Sequence, residues 1–454
     1  MNKLRGVSMN FRQVLVVTLS VLAVGCGGGG SSGGFAGGGI GGGGCTVDDE
    51  KTFVLNTMRD VWFWNTQLPA DVNLANFATA EELLVFLTSF EPLDRFSFID
   101  SAAADAAFFN EGEFVGFGFT SSIVDEATND VRFLRVFSGS PAAAGGLARG
   151  QRLLQVDGVD VATLIAGDGL GAAFGPSEEG IQRTLRIRNL DNSEFDVVLV
   201  KNTFTIDPVP QTRTYTIGGT TYGYIEFSTF ISTANDQLDA AFADFNTAGI
   251  TDVIIDLRYN GGGRVDTAEF FGDLLGGFIA NGQVFSETRF NEDNEINNRT
   301  DFFQQRANSL STSRLVFITT GGSASASELV INSLEPVASV DLVGSDTFGK
   351  PVGQIGVTFC NDTKILRPTA FETVNSLGQG QYFDGLPVDC QADDDFTTEV
   401  GSQADPSTAA ALELLSTGAC PVVSAQDLSK PSPTASKFRP PAARSAAEAN
   451  AYAY

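Results

Sequence analysis

Apolar positions change their period along this chain, and each change marks a segment. Phe53, Leu55, Met58, Val61 and Trp62 recur at helical spacing, and Ala80-Glu81-Glu82-Leu83-Leu84-Val85-Phe86-Leu87 opens a second helix, so residues 46–108 read as a helical segment. From 109 to 203 the pattern turns to short strands. Phe114-Val115-Gly116-Phe117-Gly118-Phe119 alternates apolar residues with glycine, and Val131–Val136 is a strand. A small helix around Ser140–Leu147, a strand over Gln151–Val156 and a tight Asp157-Gly158 turn follow. From 204 to 420 strands and helices alternate. Strands are expected at 221–227, 251–258 and 315–319, and helices at 233–248, 264–276 and 325–335. That alternation predicts an α/β core.

The two ends have a different character. Residues 1–25 carry Lys3, Arg5 and Arg12 ahead of an apolar run, Val14–Val24, too short to span a bilayer comfortably. The run has the form of a secretory signal and ends in Gly25-Cys26. A small residue before such a cysteine is similar to the bacterial lipobox, which implies lipidation at Cys26 and makes 1–26 a lipoprotein-type signal peptide. Residues 27–45 are a Gly/Ser-rich tether reaching roughly 25 Å. Residues 421–454, rich in Pro, Ser and Ala, read as a disordered tail. The expected location is the periplasmic side of a bacterial membrane, in the outer membrane if the cell has one.

A formal charge of −27 repels phosphate backbones and argues against nucleic-acid binding. Four cysteines besides Cys26 (Cys45, Cys360, Cys390, Cys420) in an exported chain point to two disulfides. Cys360–Cys390 with Cys45–Cys420 is the expected pairing of the three possible. There is no CxxC pair and no histidine to complete a zinc shell, so no metal and no cofactor is expected.

The absence of histidine also narrows the catalytic chemistry. A serine hydroxyl is a weak nucleophile without a base beside it, and here imidazole cannot be that base. A buried lysine that has lost its proton can. Ser325 sits in Gly322-Ser323-Ala324-Ser325-Ala326-Ser327-Glu328, just after an apolar strand and at the start of a helix. Lys350 follows in Phe348-Gly349-Lys350, and Gln354 lies four residues on. A second glycine-rich segment, Asn260-Gly261-Gly262-Gly263, ends the strand reaching Arg258. Both segments fall where an α/β sheet puts its chemistry, at the carboxyl ends of strands. Glycine-rich stretches also suggest a nucleotide enzyme, but no GxxxxGK[ST] occurs and 27–44 follow no strand.

The serine motif, Phe-Gly-Lys, their spacing and Gln354 resemble the C-terminal processing peptidases, the tail-specific proteases of serine peptidase family S41. Leu93-Asp94-Arg95-Phe96-Ser97 resembles that family's N-terminal signature, and Gly385–Asp389 with Asp405-Pro406 resembles the end of its catalytic core. The resemblance implies a ClpP/crotonase-like α/β core over 204–420, an N-terminal helical domain over 46–108 and an inserted β-rich PDZ-like domain over 109–203. It makes Ser325 the nucleophile, Lys350 the general base and Gln354 the residue that orients the lysine. Ala326 and one of Gly262 or Gly263 would supply oxyanion N–H groups, and Gly116, Phe117 and Gly118 would line a nest for a peptide C-terminus. Polypeptides are then the substrates, reached from a lipid anchor. Pro351 departs from the family's glycine after the lysine, and it motivates the alternative of a catalytically silent, peptide-binding lipoprotein.

Overall fold

The computed structural model describes residues 45–421, except 126, 168, 312 and 313. The expected signal peptide with Cys26, the tether up to residue 44 and the tail from 422 lie outside the described residues. Among the described residues no helix is long and apolar enough to cross a membrane.

Helix α1 (Val47–Val61) starts from a reciprocal cap: Asp49 N–H donates to Thr46 Oγ1, and the Asp49 carboxylate accepts from Thr46 N–H. It packs Val54, Leu55 and Met58 against Leu83, Leu84 and Leu87 of α2 (Ala80–Thr88). Periodicity predicts helices over residues 46–108, and the segment is not wholly helical. Strand β1 (Phe98–Ser101) intervenes before α3 (Ala102–Ala106). Its pairing partner is more than 260 residues away, which local spacing cannot reveal.

A five-strand sheet with a short sixth strand comes next. The elements of this region are β2 (Glu113–Gly116), β3 (Phe119–Asp125), β4 (Asp130–Val136), α4 (Pro141–Ala144), β5 (Arg152–Val156), β6 (Val159–Asp160), α5 (Val161–Ala166), α6 (Leu170–Phe174), β7 (Gln182–Arg188), β8 (Glu194–Val200) and β9 (Asn202–Thr205). The sheet runs β3-β4-β5-β7-β8, with β6 on β5. Phe117, Phe119, Phe133 and Phe174 fill its core. The alternating apolar and glycine residues 114–119 span the end of β2 and the start of β3. Gly118 turns to φ +86, and its carbonyl accepts from Phe137 N–H and Ser140 Oγ instead of a ladder partner. Asp157-Gly158 makes the expected tight turn, both residues at positive φ. β2 and β9 pair antiparallel, so the chain enters and leaves this region through one ribbon.

The remainder is the α/β core: β10 (Gln211–Ile217), β11 (Thr220–Glu226), α7 (Ala234–Thr247), β12 (Asp252–Asp256), α8 (Val265–Ala280), β13 (Val284–Phe290), β14 (Arg299–Phe302), β15 (Arg314–Thr319), α9 (Ala326–Leu334), β16 (Ser339–Gly344), β17 (Val352–Gln354), β18 (Val357–Phe359), β19 (Lys364–Arg367), β20 (Thr369–Val374), β21 (Cys390–Gln391) and α10 (Pro406–Thr417). The central sheet runs β10-β11-β12-β15-β16-β21, parallel from β11 onward. Both faces are covered. Val253, Ile255, Leu315 and Phe317 join the cluster of α7, α8 and α9, while the alternating Ile254, Val316 and Ile318 join that of α10. A second sheet, β14-β13-β20-β17, and a smaller one, β1-β19-β18, stand beside it.

The disulfides are Cys45–Cys360 and Cys390–Cys420, with Cα–Cα distances of 5.1 and 5.4 Å. This corrects the expected pairing. Cys360 ends the β18 hairpin beside the start of α1, whereas Cys390 is buried on β21 of the central sheet, so those two cannot meet.

Candidate active site

Parallel strands β12 and β15 deliver their following loops side by side. The β12 loop is knitted to the β15 loop by Asn260, which is fully buried. Its Nδ2 donates to Phe227 O, its carbonyl accepts from Ala324 N–H and Ser327 Oγ, and its Oδ1 accepts from Gly262 N–H at 3.0 Å. Ser323 Oγ donates to Leu257 O at 2.8 Å. Two of the three serines in the run are therefore committed to holding loops together.

Ser325 differs from both. It is half-buried and takes φ +58, ψ −114, outside the regions non-glycine residues normally occupy. Such a backbone costs on the order of 1–3 kcal/mol and persists where surroundings over-determine it. It is the residue just before α9, so the N–H of Ala326 stands at a helix N-terminus.

Gly262 (φ +102) lies against this turn. A Cβ there would come within 2.8 Å of Ser325 Cβ and of Ala326 N. Any side chain would cover the N–H at the head of α9. Gly263 (φ +139) is pressed on Phe230, whose carbonyl a Cβ would meet at 2.1 Å. Of the two glycines expected to offer an oxyanion N–H, Gly262 has its N–H engaged with Asn260, which leaves Gly263 as the better candidate.

Glu328 joins the serine segment to the lysine segment. It is fully buried. Oε2 accepts from Ser325 N–H and from Lys350 N–H, each at 2.8 Å; Oε1 accepts from Gly349 N–H at 2.7 Å and Thr347 Oγ1 at 2.5 Å. Burial pushes its carboxyl up, and these four donors work against that push. Phe348 N–H also donates to Ser323 O. The backbones of 323–328 and 347–350 thus form one bonded unit.

Lys350 is buried, and its Nζ donates to Gln354 Oε1 at 2.8 Å. Gln354 is fixed in turn, its Nε2 donating to Phe96 O at 2.6 Å and Arg367 O at 3.2 Å. The Phe96 ring lies 5.2 Å from Nζ. Burial brings the ammonium down to about 8; the charges of Asp94 and Glu328 oppose the drop and that of Arg367 adds to it. A substantial fraction of this amine is therefore neutral near physiological pH.

Pro351 precedes β17, its carbonyl accepts from Thr373 N–H, and the pairing of β17 with β20 begins at Val352.

Sequence reasoning missed Glu328 as the hub, although Ser325-x-x-Glu328 has the spacing of a capping box. It also missed what Asp94 does. That buried carboxylate accepts from Trp62 Nε1, Thr369 Oγ1 and the N–H groups of Phe96 and Ser97, shaping the turn that brings Phe96 to the lysine. Asp405 caps α10 and forms a buried fork with Arg258, 2.7 and 3.0 Å, behind the glycine loop. In the smaller sheet region Gly116 pairs with Asn202 and Phe117 is fully buried. A cavity of about 510 Å³ lies away from Ser325, between that region and the core, lined by Arg135, Arg149, Arg258, Tyr259 and Phe396.

Residues 221–390 match the model of Peptidase family S41, and residues 49–98 that of the Peptidase S41 N-terminal domain. The carboxy-terminal-processing protease of Bartonella bacilliformis is 26% identical over 273 residues, 57% of this chain and 59% of that protein. The carboxyl-terminal-processing protease of Synechocystis sp. is 26% identical over 239 residues, 53% of each. The chain thus spans between half and three fifths of the length of these relatives. A structure from Bacteroides fragilis assigned to the S41 proteases superposes with a TM-score of 0.65 at 22% identity, over 81% of this chain and 97% of that one. The photosystem II D1 C-terminal processing protease superposes with a TM-score of 0.51 at 20% identity, over 76% and 93%. The α/β fold with its N-terminal helical segment is shared with these structures, and two segments of the chain are similar to the S41 peptidase family models.

Proposed function

We propose that this chain is a serine endopeptidase with a Ser-Lys site oriented by Gln354. Neutral Lys350 takes the proton of Ser325 Oγ as that oxygen attacks a peptide carbonyl. The tetrahedral oxyanion rests on the N–H of Ala326 and that of Gly263. Collapse expels the amine, to which the lysine returns its proton. Water, deprotonated by the same lysine, then hydrolyses the acyl-enzyme. The observation that carries this reading is the lysine's setting: a buried amine held by Gln354 at 2.8 Å and brought to about 8, with its backbone tied through one carboxylate to that of the strained serine.

The relatives' names speak of carboxy-terminal processing, so the substrates we propose are exported polypeptides with accessible C-termini. Residues 109–203 would act as a PDZ-like module that takes such an end in the turn of Gly116, Phe117 and Gly118, next to β3, the edge strand of its sheet. Lipidation at Cys26 would hold the enzyme at the periplasmic face of a membrane. The silent-binder reading rested on Pro351, and the bonding around Pro351 gives it no support.

The test is cleavage of an unfolded, casein-like protein by purified wild type, Ser325→Ala and Lys350→Ala. Both variants should lose activity by at least about 10³-fold. A Ser325→Ala protein that cuts as fast as wild type would end the proposal.

A further inference from the structure

The turn that carries Lys350 is gripped from outside by a cation that the catalytic scheme does not use. Arg95 is an exposed residue of the N-terminal segment, yet its guanidinium is far from idle. Nη2 lies 3.4 Å from Phe348 O, 3.5 Å from Gly349 O and 3.4 Å from Phe383 O. Each contact is long for a hydrogen bond, so the arrangement is better described as three carbonyl dipoles converging on one positive charge. The guanidinium carbon stands 4.7 Å from the centre of the Phe348 ring and 5.5 Å from that of Phe96.

Two of those carbonyls belong to the residues immediately before Lys350. The third comes from Phe383, whose backbone is packed on Gly349 so closely that a Cβ at 349 would meet Phe383 O at 2.3 Å. Glu328 holds the same turn from within by its N–H groups; Arg95 holds it from outside by its carbonyls. The neighbours of Arg95 in sequence also face the lysine: the Asp94 carboxylate acts on it through its charge, and Phe96 offers its ring to Nζ and its carbonyl to Gln354. One short N-terminal stretch therefore closes the lysine's pocket, and Arg95 is the member of it that touches the lysine's backbone turn.

We propose that Arg95 is a positioning residue for the general base: by bridging Phe348, Gly349 and Phe383 it fixes the turn that keeps the Lys350 amine buried beside Gln354. The inference rests on the Ser-Lys reading for its catalytic consequence but not for its structural one.

Two measurements keep those apart. Arg95→Met keeps the stem over the two rings and removes the cation; Arg95→Lys keeps a charge that can serve one carbonyl at a time. On an unfolded protein substrate, Arg95→Met should lower kcat about 3- to 10-fold, leave KM within about twofold and move the acid limb of the pH profile upward, with Arg95→Lys intermediate. Separately, trace labelling with acetic anhydride across pH, read by mass spectrometry on the peptide containing Lys350, follows the titration of the amine without any turnover. The apparent pKa in Arg95→Met should rise toward that of an ordinary lysine. An unmoved labelling curve in Arg95→Met and Arg95→Lys overturns the proposal, whatever the activity. A moved curve in a protein with no Ser325-dependent cleavage would uphold the role of Arg95 and sink the protease reading instead. If Arg95→Met does not fold, the labelling curve of Arg95→Lys decides alone.

Discussion

A neutral amine at the site has a thermodynamic signature that needs no substrate. Lys350→Met replaces the buried amine by a side chain of similar length without a titrating group. The folded amine titrates near 8 against 10.5 for an ordinary lysine. Between those values the unfolded chain binds more protons than the folded one, so the wild type gains stability as pH rises from about 8 to about 10.5; below 8 the whole penalty is in force. A drop of that size amounts to about 3.4 kcal/mol at pH 7 or below, and about 0.8 kcal/mol of it remains at pH 10. Losing the bond to Gln354 Oε1 costs the variant about 1–3 kcal/mol, but equally at every pH. Lys350→Met should therefore be at least as stable as wild type at pH 7, and its advantage should shrink by about 2.5 kcal/mol by pH 10. Urea unfolding of the two proteins side by side at pH 6, 7, 8, 9 and 10, disulfides intact, measures this. Titrating groups that do not interact with Lys350 cancel in the difference. A difference that stays constant across the range would mean the amine is as solvated as any surface lysine, and the reasoning about the base would fail with it.

Three further substitutions probe the scaffold. Gly262→Ala places a methyl 2.8 Å from Ala326 N and Ser325 Cβ at a residue with φ +102, so kcat should fall by about 10²-fold or more while circular dichroism stays native. Glu328→Gln keeps one acceptor but aims an amide at N–H donors from Gly349 or Lys350; we expect a loss of about 2–4 kcal/mol in urea unfolding together with most activity. Pro351→Gly should leave kcat within about threefold, because the carbonyl bond to Thr373 N–H that begins the β17–β20 ladder survives; a gain or loss beyond tenfold would show that the ring itself shapes the lysine turn.

The parts of the site carried by short segments could be read from the sequence, and those carried by long-range pairing could not. Strand Asp252–Asp256 running into glycines and strand Arg314–Thr319 running into the serine run are visible as apolar blocks followed by small residues, and they end at neighbouring loops because their strands are parallel neighbours. The Ser325–Glu328 spacing was visible, but not that Glu328 would reach across to Gly349 and Lys350, since those contacts depend on how β16 returns the chain. The strands between 338 and 374 are three to six residues long and carry no clear alternation, so their two sheets went unseen. With them went the route by which Phe96 and Arg95 reach the lysine, because β1 is placed by pairing with Lys364–Arg367. The disulfide pairing failed for the same reason: Cys45 meets Cys360 only because α1 packs on the β18 hairpin, where Phe53 stacks on Phe359 at 4.7 Å.

The proposed chemistry is tested most directly by the pH dependence of kcat/KM for an unfolded protein substrate, measured from pH 6 to 10 on wild type with Ser325→Ala as the blank. An amine that titrates near 8 predicts a rate that climbs close to tenfold per pH unit at low pH and levels off above about 8, with nothing left in the blank. A rate independent of pH over that range, or an equal rate in the blank, would contradict it.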